Sequence, residues 1–505
     1  MTVHERDVLI VGGGPAGLAA AHRLAAAGLS VTVVDEQAEL GGQYFRRPAP
    51  EVARVWGDHR PEGGRLVGAV RAAGVECRTG HLVWGVGDDG RTLLVCDPAE
   101  RPVRLRGRYL IIATGAHERP FPFPGWQLPG VTTPGFAQHL AAADHTPIGE
   151  RVVLASSGPF LLPVACSLLD LGVTVAGIAE AGRPYRPSTR ALGTVRHPAR
   201  LRELAGYAAR LARARVPLWQ NTVVVRADGG DRITSVTLAA ATAPTRPVRT
   251  VQVDALCVGY GFRPQTDLAR MLGCAVRTDP ATGDATPELD DSGRSSRDDV
   301  YVIGEAAGIG GAPVAEVRGL AAALDILGRE GHEPRAGEAR GLAAAGRRLA
   351  HFKRLTDALY PAPAELARLL PSALPDAATL CRCEAVSAGE VRGIARTARP
   401  RRERRQGVDP RRHGTVPGPG VRLRRHRRDP GVPGGRAARR GLPVPAPGPP
   451  RAGGHAAGDG RAKGSRHEDG GRGDRRRRRA GRVGGEQAGP RRPPGRGAGT
   501  RRPRT

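Results

Sequence analysis

Short apolar runs, glycine turns and small-residue helical stretches alternate through the first 330 residues. Within residues 7–11 (DVLIV), the run Val8–Val11 is continuously apolar, which fits a strand buried on both faces of a parallel sheet. GGGPAG follows, then LAAAHRLAAAG, then a second β-branched run, LSVTVVDE. Strand, glycine turn, helix, strand is the opening of a doubly wound α/β sheet. A weaker copy begins at Glu150: ERVVLASSGP, an apolar helix over 160–171, and GVTVAGIAEA. Further strands are predicted at 253–261 (VDALCVGYG) and within 299–312 (DVYVIGEAAGIGGA), the latter leading into the helical VAEVRGLAAALDIL. Residues 330–350 read as helix or linker, and no internal repeat appears beyond the two α/β units.

Composition changes the picture only after residue 398. From 399 to the end there are 32 Arg and Lys against 8 Asp and Glu, so most of the chain's net charge of +29 sits there. That stretch lacks Phe, Tyr, Trp, Ile, Met and Cys. It has little to bury against its ordering entropy and is expected to be disordered. A nucleic-acid arm is the functional alternative, since arginine neutralises phosphates. The near absence of lysine and of interleaved aromatics counts against it. The seven cysteines, odd in number and scattered, argue against a disulfide framework and for a reducing compartment. No leader pattern or spanning apolar run is seen, so a cytoplasmic location and no membrane partner are expected.

The chemistry-bearing string is Gly12-x-Gly14-Pro15-Ala16-Gly17, placed between a strand and a helix. The first glycine permits a tight turn, the second lets the backbone approach a diphosphate, and the third permits helix-on-strand packing. Asp35, followed by Glu36, ends the next strand, where a carboxylate can bond a ribose hydroxyl. The pattern predicts a dinucleotide site of the Rossmann type. Ser156-Ser157-Gly158-Pro159 lacks the first and third glycines, so the second unit leaves NAD(P), adenylate alone or no ligand open. No C-x-x-C occurs, which disfavours thiol–disulfide exchange. Isolated Cys166, Cys257 and Cys274 read as packing residues. His117 and Glu118 read as turn-stabilising, and no catalytic acid or base is identified.

Three further strings resemble flavoprotein motifs. Gly41-Gly42-Gln43 resembles the second glycine turn of two-domain flavoproteins. YLIIATGA, with Thr114 and Gly115, resembles their strand-to-cofactor crossover. VYVIGEAAGIGGA resembles the last flavin motif, with Gly304 and with Glu305 where the ribityl-binding residue is ordinarily Asp. These motifs imply FAD. ATGAHERPFPFPGWQLPGV (113–131), DALCVGYGFRPQTDLARMLGC (254–274) and GIGGA (308–312) resemble the FAD subunits of opine oxidase, hydrogen cyanide synthase and sarcosine oxidase-like amine dehydrogenases. The resemblance covers roughly residues 5–397. It implies a glutathione-reductase-like α/β fold, with an FAD domain at 1–118 and 256–330 and a second dinucleotide-type domain at 119–255. It also implies dehydrogenation of a C–N bond in an amine, imino acid or opine, beside a second flavoprotein subunit. The alternatives are an NAD(P)H-dependent flavin reductase and an electron-transfer subunit.

The same family carries a ferredoxin-like [2Fe–2S] module whose opening C-x-C is matched by Cys381-Arg382-Cys383, within a linker and truncated module at 331–398. Its closing C-x-x-x-x-C is absent. Codons for HGTVPGPGVR (413–422), read one base later, permit Met-Gly-Pro-Cys-Gln-Gly-Arg-Val-Cys. A one-base slip near Thr397–Arg399 is therefore the expectation, with 399–505 its product and the cluster restored only in the corrected frame.

Overall fold

The computed structural model describes residues 3–57, 60–184, 197–280, 282–360, 363–381 and 383–397, all within the compact unit Met1–Leu423. The expected tail at 399–505 lies outside the described residues.

The first sheet collects β1 (Val3–Val11), β2 (Val31–Val34), β3 (Glu76–Arg78), β4 (Leu82–Val86), β5 (Thr92–Cys96) and β6 (Pro102–Ile112), in the order β3-β2-β1-β6-β5-β4. β1 runs parallel to both β2 and β6, with Ile10 opposite Val33 on one side and Ile111 on the other. β4 and β5 are antiparallel. The continuous apolar run of β1 has a direct cause. Val8 and Ile10 enter one core with Leu18, Leu24, Val67 and Ile326, while Leu9 and Val11 enter another with Leu93, Leu105 and Leu268. Alternate side chains point to opposite faces, so a strand covered on both sides needs apolar residues throughout.

β7 (Ala116–Glu118) leaves this sheet toward the second one. The latter is built from β8 (Val131–Thr132), β9 (Arg151–Ser156), β10 (Thr174–Glu180) and β11 (Leu218–Gln220). An antiparallel meander of β12 (Thr222–Gly229), β13 (Ile233–Ala240) and β14 (Ala243–Gln252) precedes its remaining strand, β15 (Ala255–Gly259). The all-parallel order is β11-β10-β9-β15-β8. β9 repeats the two-faced burial: Val153 and Ala155 meet the meander, whereas Val152 and Leu154 meet the 161–170 helix. β16 (Phe262–Pro264) pairs antiparallel with β7, forming the two-stranded return between the sheets. The domain edge expected at 256 falls inside β15, which the register places in the second sheet, with Leu256 between Val153 and Val131. An apolar run reads alike for either sheet; only its pairing partner assigns it.

β17 (Val276–Thr278) and β18 (Ala285–Pro287) form a hairpin, and β19 (Val300–Val302) joins the first sheet parallel to β6. The helix Ala312–Arg329 then packs on the Pro15–Ala25 helix. A Cβ at Gly319 would come within 2.3 Å of the Ala16 carbonyl, so glycine sets this close crossing. Residues 338–357 are helical, taking the helix branch of the expectation for 330–350. Beyond them, Leu366 and Leu370 bury against the meander core. Trp126 Nε1 donates to the Thr379 carbonyl at 2.7 Å, tying β20 (Thr379–Cys381) to the core between the second sheet and the meander.

Candidate functional site

The Gly12–Gly17 turn leaves the C-terminal end of β1 between β2 and β6, the position where open parallel sheets bind ligands. Gly12 has φ +106°, and a Cβ there would lie 2.3 Å from the Ala113 carbonyl oxygen. A Cβ at Gly17 would lie 2.0 Å from the Gly12 oxygen. Neither position admits a side chain. Gly14 instead looks across at Gly42, whose Cα is 3.9 Å from an added Cβ. Pro15 occupies the first turn of the helix, where a missing N–H costs nothing. Ala16 sits against Gly304 and Gly319, fixing the helix on the third motif.

The second glycine turn folds onto the first, with Gly41 N–H donating to the Gly13 carbonyl at 2.8 Å. Gly42 has φ +58°. Gln43 is exposed and accepts from Arg46 Nη2 at 3.3 Å. Asp35 is buried and accepts from Gly13 N–H at 2.6 Å and Gln37 N–H at 2.8 Å. Burial raises its carboxyl above the usual range, opposed by those two hydrogen bonds. Glu36 is exposed, its carboxylate outside this turn's hydrogen bonds. The crossover is held by Thr114 Oγ1 donating to the Gln265 carbonyl and by Gln265 N–H donating to the Gly115 carbonyl, both at 3.0 Å. Gly115 has φ +78° with nothing within 4 Å of an added Cβ, an open approach. Glu305 lies on the 304–307 turn and accepts from Gly311 N–H at 3.1 Å.

Four separated strings thus converge on one sheet edge: the first turn with Asp35, the 41–43 turn, Thr114–Gly115 and Gly304–Glu305. The residues fit a dinucleotide such as FAD. Backbone N–H groups at a helix N-terminus suit a diphosphate, the glycines leave room for close approach, and Asp35 retains lone pairs for a ribose hydroxyl.

Sequence reasoning missed Glu180. It is buried at the end of β10 and accepts from Gly158 N–H at 3.1 Å and Gly182 N–H at 2.8 Å. Burial raises its carboxyl to about 7. The arrangement repeats that of Asp35, including the interval of 22 residues from glycine to acid. That interval was the readable signal. Glu118 holds a structural place: both its carboxylate oxygens accept from Gly135 N–H, at 3.0 and 2.9 Å, in the first turn of the Pro134–Ala143 helix.

Burial pushes the thiols of Cys166, Cys257 and Cys274 upward, consistent with packing roles. Cys381 is half-buried on β20 and Cys383 is exposed just beyond it. Among the described residues no group of three or more His, Cys, Asp or Glu is placed to hold a metal. A [2Fe–2S] cluster of this type needs four thiolates, and no cysteine follows Cys383, so the residues present do not fit one. Among the described residues, no helix is long and apolar enough to cross a membrane.

Residues 6–319 match the model of the pyridine nucleotide-disulphide oxidoreductase family. The HcnB subunit of hydrogen cyanide synthase from Pseudomonas aeruginosa is 35% identical over 399 residues, covering 76% of this chain and 84% of that one. An opine oxidase subunit from Rhizobium meliloti (strain 1021) is 35% identical over 406 residues, covering 77% and 84%. Among solved structures, L-proline dehydrogenase from P. horikoshii superposes with a TM-score of 0.55 at 20% identity, over 79% of this chain and 68% of that one, a likeness of fold. With the matched family spanning both sheets, the chain belongs to the pyridine nucleotide-disulphide oxidoreductases and is an FAD-dependent oxidoreductase.

Proposed function

We propose that this chain, working beside a second flavoprotein subunit, dehydrogenates the C–N bond of an amine, imino acid or opine. FAD, bound at the first sheet, would supply the hydride-accepting chemistry at N5. The chain's own part is placement: Gly12–Gly17 and Gly42 admit the diphosphate, Asp35 takes the adenosine ribose, and Thr114–Gly115 with Gly304–Glu305 line the inner end. The convergence of these four strings on one edge carries the reading. The substrate class and the partner are supported by relatives named as subunits of hydrogen cyanide synthase and opine oxidase.

The test is anaerobic mixing of the purified chain with glycine, sarcosine, proline or an opine, with and without the product of the neighbouring gene. Flavin bleaching by one of these substrates, dependent on the second subunit, is expected. Protein that takes up FAD but is bleached by none of them under either condition overturns the C–N assignment.

A second reading, an NAD(P)H-dependent flavin reductase, is favoured by Glu180. A buried acid at the end of the second sheet's β10, bonded to the Gly158 turn, suits a nicotinamide dinucleotide's ribose. It would select NADH, because a carboxylate accepts from the 2′-hydroxyl and repels a 2′-phosphate. Bleaching by NADH alone, faster than by NADPH, is its expected signature.

A further inference from the structure

We propose that Arg318 is a positioning residue for the flavin, clamping the 304–311 loop and holding a fixed positive charge behind it. The inference rests on the reading that this edge of the first sheet receives FAD. The loop is conformationally loose by composition: Gly304, Gly308 and Gly311 adopt φ of +65°, +122° and +78°. Glycine gains such freedom at the cost of entropy when it is fixed, so a defined loop needs ties. Arg318 supplies them. Its Nη1 donates to the Gly304 carbonyl at 2.8 Å and also to the Gly308 carbonyl. From the far side, Glu305 accepts from Gly311 N–H at 3.1 Å, and Gly308 N–H donates to the Glu305 carbonyl at 3.1 Å.

Arg318 lies in the second turn of the Ala312–Arg329 helix, and helical side chains lean toward the N-terminus, so the reach back to the loop is natural. Its position also sets a cation where a helix does not favour one. Arginine is favoured at helix C-termini, where the macrodipole is negative. Here the guanidinium is half-buried and turned toward the positive end, and burial pulls its proton affinity down. Glu305 is the carboxylate that opposes this, and its Oε1 is engaged by Gly311. A cation set against a helix dipole gains when an anion arrives. The diphosphate and an anionic reduced flavin are the negative charges this site would meet. Arg318 therefore favours both bound FAD and its reduced form.

The experiment uses the full chain as Arg318→Met, Arg318→Lys and Glu305→Gln. It measures FAD affinity of the stripped protein, midpoint potential of the bound flavin, and thermal unfolding. Arg318→Met is expected to weaken FAD about tenfold and lower the preference for reduced flavin about tenfold, roughly 30 mV more negative for a two-electron couple. Arg318→Lys should restore the potential while recovering only part of the affinity, because a lysine ammonium on its straight stem does not reproduce the placement of Nη1 between the two carbonyls. Glu305→Gln should move the potential the opposite way, which loss of loop structure alone would not do. Unchanged affinity and potential in Arg318→Met overturns the proposal. Should that variant not fold, an Arg318→Lys protein with wild-type affinity does the same. Wild-type protein that takes up no FAD instead overturns the flavin reading itself.

Discussion

The two α/β sheets solve the same problem at different depths. Each has a glycine turn at the end of a central strand and a buried acid 22 residues on, bonded to a turn N–H. In the first sheet the turn is enclosed: Gly12 and Gly17 have backbone atoms within 2.3 Å of any added Cβ. In the second, Gly158 has φ +128° but nothing within 4 Å. The first turn is therefore locked by packing, and the second by its backbone conformation and the Glu180 hydrogen bond.

The largest effect that tests this contrast is at Gly17. Gly17→Ala should cost at least about 3 kcal/mol, since the clash is with backbone and no rotamer relieves it. Loss of FAD and a large drop in melting temperature would be seen, whereas Gly158→Ala should cost only about 1–2 kcal/mol of conformational strain and leave FAD content intact. Equal losses at the two glycines would erase the distinction.

Next in size is a pH effect at the second sheet's buried acid. Glu180 is raised from 4.5 to about 7. Between those values the folded chain keeps a proton the unfolded chain has lost. Its stabilisation is full below about pH 4.5 and is lost as pH rises through about 7, by up to about 3 kcal/mol. Chemical unfolding at pH 5 and pH 8 should show that decline in wild type and a flatter profile in Glu180→Gln.

Asp35→Asn removes a charged acceptor from the first site. It should weaken FAD by about 1.5–3 kcal/mol, read from equilibrium reconstitution, while Glu180→Gln leaves FAD affinity unchanged and weakens NADH. An Asp35→Asn protein with undiminished flavin affinity would detach the acid from the cofactor. The smallest effect belongs to neither sheet. Cys383→Ser, at an exposed thiol, should alter stability by less than about 0.5 kcal/mol and leave iron content as in wild type. Iron lost in that variant would revive a cluster shared with another chain.

What the sequence alone determined is whatever depends on local chemistry. The Gly12-x-Gly14-x-x-Gly17 spacing, the double-faced apolar run of β1 and the acid at 35 converge on one physical reading, so the first dinucleotide unit and the α/β class were legible from residue order. The antiparallel pairing of β4, β5 and β6, the β12–β14 meander, Glu180 and Arg318 were not. Leu93, Leu105 and Val236 are apolar residues that fit several pairings, and only the register of neighbouring strands chose one. Glu180 was hidden because its turn lacks the flanking glycines, although backbone N–H groups, which every residue but proline carries, can still hold a carboxylate. Arg318 looks like a solvated helix residue in sequence. Only the fold brings the Gly304 and Gly308 carbonyls within its reach, because a loop's path over a helix end is set by tertiary packing and not by local propensity.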